Sequence, residues 1–444
     1  MTLEIRESPG TKRSAFERAV RAVAPGFAAR RAQARVRLRQ AELSQRMLEF
    51  AEREFRRGGY EGASKEHGAA TWFPGGGSAD EDTLPDLDTL RERNRDLIRN
   101  DPHAAGLAEA WVSAIVGNGL VPQPMIDGVA LGLTESEVQA FQKVARKIFV
   151  ERFWPQADVA GRLSFGALQR LLLHQEFANG EGWAVVRPDT ARRPYVTGVQ
   201  VFEADQVMNP HGREMDPELR DGVKIGANGE HLGYWVKNTH PGDSIIRQQR
   251  ADDFVFIPAL DGDGRKVVFQ LCEVHRPGQT RVPPKLSPAL MIFRDLKQYF
   301  RAELVAAKIA ACFALFVYTE DPMGLAAAQA EGSKLAGKAE ETIRPGMIKY
   351  MGLGQRVDVA NPGRPNPNFD PFVIRALRAI GCATRMPYEV TACDFSQTTY
   401  TSGRMSLNQV RAIYTIHQNR FAAGFCQPIY ERVLEEAFLK GEIR

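Results

Sequence analysis

Residues 368–437 read NFDPFVIRALRAIGCATRMPYEVTACDFSQTTYTSGRMSLNQVRAIYTIHQNRFAAGFCQPIYERVLEEA, and this stretch decides the fold of the C-terminal part of the chain. Apolar residues recur at helical spacing over 370–385, which predicts a helix there. Residues 391–402 are polar and predict a loop. Helical spacing returns over about 403–440. The stretch therefore predicts a helix, a polar loop and a long second helix.

The boundaries of these elements carry residues with known positional preferences. Asp370, followed by Pro371, is the predicted N-cap of the first helix, and Ser402 is that of the long helix. Pro428 lies inside the long helix. Because proline lacks the backbone N–H and clashes with the preceding turn, we expect an interruption or kink there.

Another helix is predicted upstream, over 287–315, directly after Pro283 and Pro284. At roughly 30 residues it would be about 45 Å long. Residues 319–367 separate it from the helix that begins near residue 370. They are of mixed character, with a β-type run at 347–351. The pattern predicts a small module held between two helices.

Before residue 286 the spacing of apolar residues changes from that of helices to that of strands. Helices are predicted at about 90–117, 135–155 and 163–178, and short β-type runs follow at 183–186, 196–202, 233–236 and 254–257. Turn residues separate these runs, and Asp261-Gly262-Asp263-Gly264 reads as a hairpin turn. We therefore predict a small, mostly antiparallel sheet packed on helices, which is an α+β fold.

The N-terminal segment differs in charge from the rest of the chain. Residues 1–57 contain 14 Lys or Arg against 7 Asp or Glu, a net +7, so the remaining chain carries −3 of the total +4. This basic arm could contact nucleic acid or an acidic partner, or be an ordinary solvated helix face. Its most concentrated basic residues are Arg30, Arg31, Arg35, Arg37 and Arg39. Residues 58–89 are rich in Gly, Pro and acidic residues and predict a linker or extended strap.

Composition excludes several classes of protein. The chain has 444 residues, 43% hydrophobic and 25% charged, which is ordinary globular usage. Its longest apolar stretch, Leu304 to Tyr318, is too short to cross a bilayer and contains Lys308. The five cysteines include no CxxC pair. Buried reduced thiols are therefore favoured over disulfides.

The sequence motifs do not indicate an enzyme. Residues 332–338 match the GxxxxGK pattern of a phosphate loop, but Ala339 stands where such a loop needs Ser or Thr to hold magnesium. There is no HExxH zinc motif and no GxSxG elbow. The sequence thus predicts no catalytic residue, no metal site and no cofactor.

Three stretches resemble the lambda family of phage portal proteins. The first holds YEGA at 60–63, LRERNRDLIRNDPHA at 90–104 and VGNGLVPQ at 116–123. The second is residues 275–317 and the third is residues 368–437. Together they cover about 40% of the chain, in the order that the family shows. Members of the family usually continue beyond the third stretch. The functions that the resemblance assigns to the crown, the part to which the long helix leads, are therefore in doubt for this chain.

The resemblance implies a portal-type fold whose parts follow one another along the chain. These are a basic helical N-terminal arm (1–57), a strap (58–89), a wing (90–286), a first stem helix (287–318), a clip (319–367), a second stem helix (368–387), a tunnel loop (388–402) and a long wing-to-crown helix (403–444).

The resemblance also implies which residues face the DNA. The tunnel loop would line the channel with Asp394, Ser396, Gln397, Thr398, Thr399 and Tyr400. An ordinary connecting loop is the alternative that residue pattern alone favours. Arg375, Arg378 and Arg385, spaced to share one helix face, would either guide phosphates or form salt bridges between subunits with acids such as Asp295 or Glu303.

The implied function is that of a dodecameric ring at one capsid vertex, through which double-stranded DNA passes without sequence preference. The implied partners are the terminase large subunit, head–tail adaptor proteins and the major capsid or scaffolding protein, with no membrane. The implied location is the virion, and the host cytoplasm during assembly. The alternative is a nucleic-acid-processing enzyme or a DNA-binding protein of phage origin, although a body of net charge −3 speaks against the latter.

Overall fold

The computed structural model describes residues 26, 34, 37–46, 74–188, 194–213, 216–243, 254–312, 315–317, 348–350 and 366–443. The chain divides into two units, Met1–Gly76 and Gly77–Arg444. In the first unit residues 37–46 are helical, as predicted, and Arg37 and Arg39 are exposed. Arg30, Arg31, Arg35 and the GxxxxGK segment lie outside the described residues.

Four helices open the second unit: α1 (Ala79–Asn100), α2 (Pro102–Ile115), α3 (Glu135–Arg146) and α4 (Phe165–Asn179). A π-helical turn (Lys147–Phe153) and a 3-10 turn (Trp154–Gln156) extend α3. The helices predicted at 135–155 and 163–178 are confirmed. The helix predicted over 90–117 is two helices, because Asp101 ends α1 and caps α2, which begins with Pro102.

Helix α1 corrects the boundary predicted for the strap, because residues 79–89 are helical. The Ser78 side chain accepts a hydrogen bond from the Glu81 N–H at 3.2 Å and caps the helix. The acidic residues Asp80, Glu81 and Asp82 occupy the first turn, where negative charge is favoured by the helix dipole. The acidic run that reads as a linker in the sequence is thus the start of a helix.

The strands form small antiparallel sheets next to these helices. They are β1 (Glu181–Pro188), β2 (Thr197–Phe202), β3 (Leu219–Arg220), β4 (Val223–Ile225), β5 (His231–Lys237), β6 (Phe254–Pro258) and β7 (Val268–Cys272). One sheet has the order β2-β1-β7 and the other β3-β4-β5-β6. The four predicted runs are all strands, and the predicted α+β class is confirmed. The segment from Asp261 forms a turn in which the Asp261 carboxylate accepts from the Asp263 and Arg265 N–H groups.

The region after residue 286 contains the two helices predicted to flank a module. A 3-10 turn (Ser287–Ala289) leads into α5 (Leu290–Cys312), and α6 spans Phe369–Thr384. Between them, β8 (Leu315–Val317) pairs in parallel with β9 (Ile348–Tyr350). Helix α6 begins one residue before the predicted cap Asp370, and Asn368 takes the N-cap position without a side-chain bond.

The C-terminal part contains α7 (Tyr388–Ala392), α8 (Tyr400–Phe421), a π-helical turn (Ala422–Cys426) and α9 (Gln427–Leu439). The loop predicted over 391–402 is shorter than expected, because helices α7 and α8 enclose only residues 393–399. The N-cap of α8 is Thr399 and not Ser402. The interruption of the long helix lies in the π-helical turn, and Pro428 follows in the first turn of α9.

Two apolar clusters make up the core. The larger joins α2, α4, the start of α5, α6 and both halves of the long C-terminal helix. It buries residues such as Trp111, Phe293, Leu377 and Phe425. The smaller fills the space between the two sheets, around Trp183 and Tyr234. Helix α6 contributes Leu377 and Ile380 to the larger cluster, with Val373 half-buried against it.

Three fully buried charged side chains connect the helices to the sheets. Glu181 on β1 accepts hydrogen bonds from Arg91 on α1 and, at 2.6 Å, from Arg281 Nε. Arg281 also donates to the Asp221 carboxylate at 2.7 Å and to the backbone oxygens of Val207 and Ala204 at 3.0 and 2.9 Å. Arg91 also donates to the Asn179 oxygen at 3.1 Å. Because both guanidinium groups are hydrogen-bonded to Glu181 and to backbone oxygens, a charge group that would be costly alone is tolerated in the interior.

The described cysteines are reduced, as the sequence predicts, but not all of them are buried. Cys272, Cys382, Cys393 and Cys426 are free thiols, as predicted. Burial raises the pKa of Cys272 and of Cys426 to about 12. Cys382 and Cys393, however, are exposed, because they lie on the outer side of α6 and at the end of α7. Within the described ranges, no helix is both long enough and apolar enough to cross a lipid bilayer.

Candidate functional site

The loop predicted to carry function, residues 393–399, is held by the turn between α6 and α7. Arg385 ends α6 in the left-handed conformation with φ of 58°, and the Met386 N–H donates to the Gly381 oxygen at 2.9 Å. A side chain at Gly381 would place its Cβ 2.6 Å from the Met386 oxygen. The tight reversal after α6 therefore depends on glycine at this position.

Helix α7 forms a fixed base for the loop. Thr391 is buried and its hydroxyl donates to the Pro387 oxygen at 3.0 Å. Tyr388, Val390 and Ala392 pack on the larger apolar cluster. Although α7 has only five residues, its inner side is anchored in the core, and this anchoring sets the point from which the loop leaves.

Asp394 is the only charged residue between positions 391 and 402, and its carboxylate is bonded within the loop. It accepts from the Tyr388 hydroxyl at 3.0 Å and from the Ser396 N–H at 3.0 Å. The hydrogen bonds from Ser396, followed by that from Tyr388, lower the pKa of Asp394 below its usual range. The carboxylate is therefore ionised at neutral pH and turned towards its own loop.

The other predicted channel residues separate into two groups. Ser396 and Gln397 are exposed at the tip of the loop. Thr398 is half-buried, with its hydroxyl 3.4 Å from the Glu389 carboxylate, and Thr399 and Tyr400 belong to the start of α8. Sequence reasoning did not single out Phe395, which is 65% exposed beside Ser396. Only its position in an otherwise polar loop could have indicated it.

The start of α8 is fixed by a reciprocal pair of hydrogen bonds. The Thr399 hydroxyl accepts from the Ser402 N–H at 3.3 Å, and the Ser402 hydroxyl accepts from the Thr399 N–H at 3.1 Å. Such a capping box satisfies two backbone donors that have no partner inside the helix.

We expect Thr399→Ala to lower the free energy of unfolding by about 1 kcal/mol, because the replacement removes the N-cap of α8. Urea unfolding followed by circular dichroism measures this change. Gln397→Ala, an exposed neighbour outside the capping box, should change stability by less than about 0.5 kcal/mol. Equal stability of the two variants would contradict the role of the cap.

The three arginines of the second predicted stem helix do not share one face. Arg375 and Arg378 are exposed on α6, and the Arg378 guanidinium lies 5.3 Å from the centre of the Tyr388 ring. Arg385 occupies the left-handed C-cap, and its Nη1 is 3.7 Å from the Glu273 carboxylate. The helical spacing therefore fails at Arg385, because the helix ends one residue before it.

One cluster has the composition of a metal site, namely Glu203, Asp205 and His240. His240 Nδ1 accepts from the Gly242 N–H at 3.0 Å, and its Nε2 lies 2.9 Å from Glu203 Oε2. The Asp205 carboxylate is already bound by Arg95 at 2.7 and 2.5 Å. A cation would have to displace the Arg95 guanidinium from Asp205, so this cluster fits an ionic group between α1 and the sheets better than a metal site.

Comparison with known proteins gives one family. Residues 65–418 match the family model described as phage portal protein, lambda family. The chain is 24% identical to portal protein B of Escherichia phage lambda over 406 residues, which covers 86% of this chain and 75% of that protein. It is also 24% identical to the portal protein of Escherichia phage N15, over 83% of this chain and 73% of that one.

Solved structures of gene transfer agent particles are similar as well. A chain of the native virion aligns with a TM-score of 0.42 at 13% identity, covering 78% of this chain and 81% of that chain. A chain of the native neck, computed with C12 symmetry, aligns with a TM-score of 0.41 at 12% identity, covering 78% of this chain and 80% of that one.

Proposed function

Since the chain belongs to the lambda family of phage portal proteins, we propose that twelve copies form a closed ring at one capsid vertex. Double-stranded DNA passes through the ring during packaging and ejection. The ring has no catalytic activity of its own, and it acts in the virion and, during assembly, in the host cytoplasm. The family match over residues 65–418 carries this proposal, because it includes the helices and the loop that a conduit requires.

The parts of the portal are assigned in the proposal to the observed elements. Helices α1 to α4 and the two sheets form the wing, α5 and α6 are the stem helices, and residues 319–367 between them are the clip. Residues 393–399 are the tunnel loop, and α8 and α9 lead from it back to the wing. The order of these elements along the chain supports the assignment.

The chemistry of the loop supports a role in guiding DNA without holding it. Duplex DNA carries one charge per about 1.7 Å of its axis, and each phosphate that a protein neutralises strengthens binding. The loop offers no basic residue, and its one carboxylate is bonded to Tyr388 and Ser396. Twelve copies would give a polar, weakly repulsive collar with Gln397 and Ser396 at its edge.

The basic residues outside the tunnel loop have two candidate roles. Arg375 and Arg378 either guide phosphates along the channel or pair with acids of the neighbouring subunit, such as Asp295. Arg385 is less suited to the channel, because its guanidinium is near Glu273 of the same chain. The basic N-terminal arm around Arg37 and Arg39 would contact nucleic acid or an acidic partner.

The proposed partners follow from this arrangement. The terminase large subunit would dock on the clip during packaging, head–tail adaptor proteins would replace it later, and the major capsid or scaffolding protein would surround the wing. A nucleic-acid-processing enzyme is the weaker alternative, because within the described residues the one metal-type cluster, Glu203 with Asp205 and His240, has its Asp205 carboxylate bound by Arg95.

We expect the purified protein to form particles of about 590 kDa, twelve times the mass of the 49.4 kDa chain. Mass photometry at micromolar concentration measures this directly, and electron microscopy should show a central hole. Rings of eleven or thirteen subunits would remain compatible with the proposal. A protein that stays monomeric or dimeric would contradict it.

A further inference from the structure

The connection between α2 and α3 exposes an unusual number of aliphatic side chains. Met125 is 87% exposed, Val129 93% and Leu131 64%, and Val121 and Leu133 are exposed to a lesser degree. We call residues 121–133 the apolar loop. Its one charged residue is Asp127. Water is an unfavourable environment for such a segment, so its exposure requires an explanation.

Hydrogen bonds hold the apolar loop in a defined shape. At its entrance the side chain of Gln169 accepts from the Leu120 N–H at 2.6 Å and donates to the Leu120 oxygen at 3.2 Å. Within it the Asp127 carboxylate accepts from the Ala130 N–H at 3.0 Å, and the Leu133 N–H donates to the Gly128 oxygen at 2.8 Å. The aliphatic side chains are therefore presented outwards by ordered turns, and Asp127 is used to build one of them.

The area of this surface is large enough to matter for assembly. Its five aliphatic side chains expose on the order of 500 Å² of apolar surface, near the upper end of what a monomeric protein shows in one patch. A stable interface buries about 800 Å² on each partner, so the loop would supply more than half of one side. Apart from the exposed Asp127, whose carboxylate accepts from the Ala130 N–H, the loop carries no charge, as is typical of the apolar centre of a permanent interface.

We infer that the apolar loop docks on a neighbouring copy of this chain, an inference that rests on the proposed ring. In a closed ring each subunit uses one surface to bind a different surface of the next. Helix α5 also exposes aliphatic side chains, among them Leu304 and Val305, which are 55% and 54% exposed. A partner that joins only late in assembly would leave the loop in water on the free ring, so a second copy is the better occupant.

The first test places charge on the loop. The double variant Met125→Asp with Val129→Asp should give soluble 49.4 kDa monomers in place of rings, as measured by mass photometry. The control is Leu260→Asp with Val274→Asp, two side chains of 50% and 55% exposure outside the loop, and it should keep the ring. Rings of the loop variant at wild-type yield would overturn the inference. Failure of the unaltered protein to form rings would instead count against the proposed function.

The second test leaves the charge of the loop unchanged. In a chain with Cys382→Ser and Cys393→Ser, the variant Val129→Cys should react with a maleimide several-fold more slowly in the ring than in subunits separated by mild denaturant. Thr89→Cys on the exposed side of α1 provides the reference rate. Equal protection factors at the two positions would overturn the inference even if the charged variants had lost the ring for another reason.

Discussion

Replacing Glu181 by Gln is expected to lower the free energy of unfolding by about 3–5 kcal/mol. The carboxylate is shared by Arg91 and Arg281, which are 1% and 0% exposed. Without its charge, two guanidinium groups would remain in the interior with fewer compensating acids. Differential scanning calorimetry and urea titration both measure the loss. Because the residues join α1, β1 and the segment before α5, we expect one cooperative transition at a lower temperature.

A matched control tests whether burial causes this effect. Glu435 pairs with Arg265 at 2.7 Å, but both side chains are solvent-accessible. Glu435→Gln removes the same charge and should cost less than about 1 kcal/mol. If the two variants lost similar stability, the interior position of the Glu181 group could not be the reason for its contribution.

Placing lysine at the tip of the tunnel loop is expected to slow or stall DNA packaging. Ser396→Lys with Gln397→Lys would add about 24 positive charges to a twelve-subunit collar, and contacts with phosphate would become strong and salt-dependent. These positions are preferable to Thr398 and Thr399, which contact Glu389 and cap α8. Packaged DNA length is the measurement, and the defect should ease as ionic strength rises.

The control for this experiment adds the same charge elsewhere. Thr89→Lys with Asn100→Lys alters two exposed positions of α1 and should leave packaging unchanged. Both double variants should still assemble, because exposed tip residues contribute little to stability. Full-length packaged DNA from the loop variant at every salt concentration would contradict the assignment of the loop to the channel. The family assignment would stand.

Local patterns in the sequence were sufficient for most of the secondary structure. The strands containing Trp183 and Trp235 were predictable because apolar and β-branched residues run between turn residues. The boundaries were less predictable, since two of them depend on which polar side chain caps a helix. Thr399 and Ser402 are both good N-caps, and only the three-dimensional structure shows that Ser402 instead occupies the third helical position.

The interior charges could not have been predicted from one sequence. Arg91 and Glu181 are 90 positions apart, and Arg281 lies another 100 positions on. No local pattern distinguishes these residues from the many exposed arginines and glutamates. The same limit applied to the candidate site: the lone charge of Asp394 could be read from the sequence, but its bond to Tyr388 and the left-handed position of Arg385 could not.

The π-helical turn at Ala422–Cys426 reconciles two different periods within the long C-terminal helix. From His417 to Ala437 every fourth residue is buried, namely His417, Phe421, Phe425, Ile429, Val433 and Ala437. In a regular helix of 3.6 residues per turn, a four-residue spacing drifts by about 40° at each step. The wider turn unwinds the backbone midway and offsets part of that drift. The line of buried residues thus runs more nearly parallel to the helix axis. The long helix can therefore lie along the core instead of coiling around it.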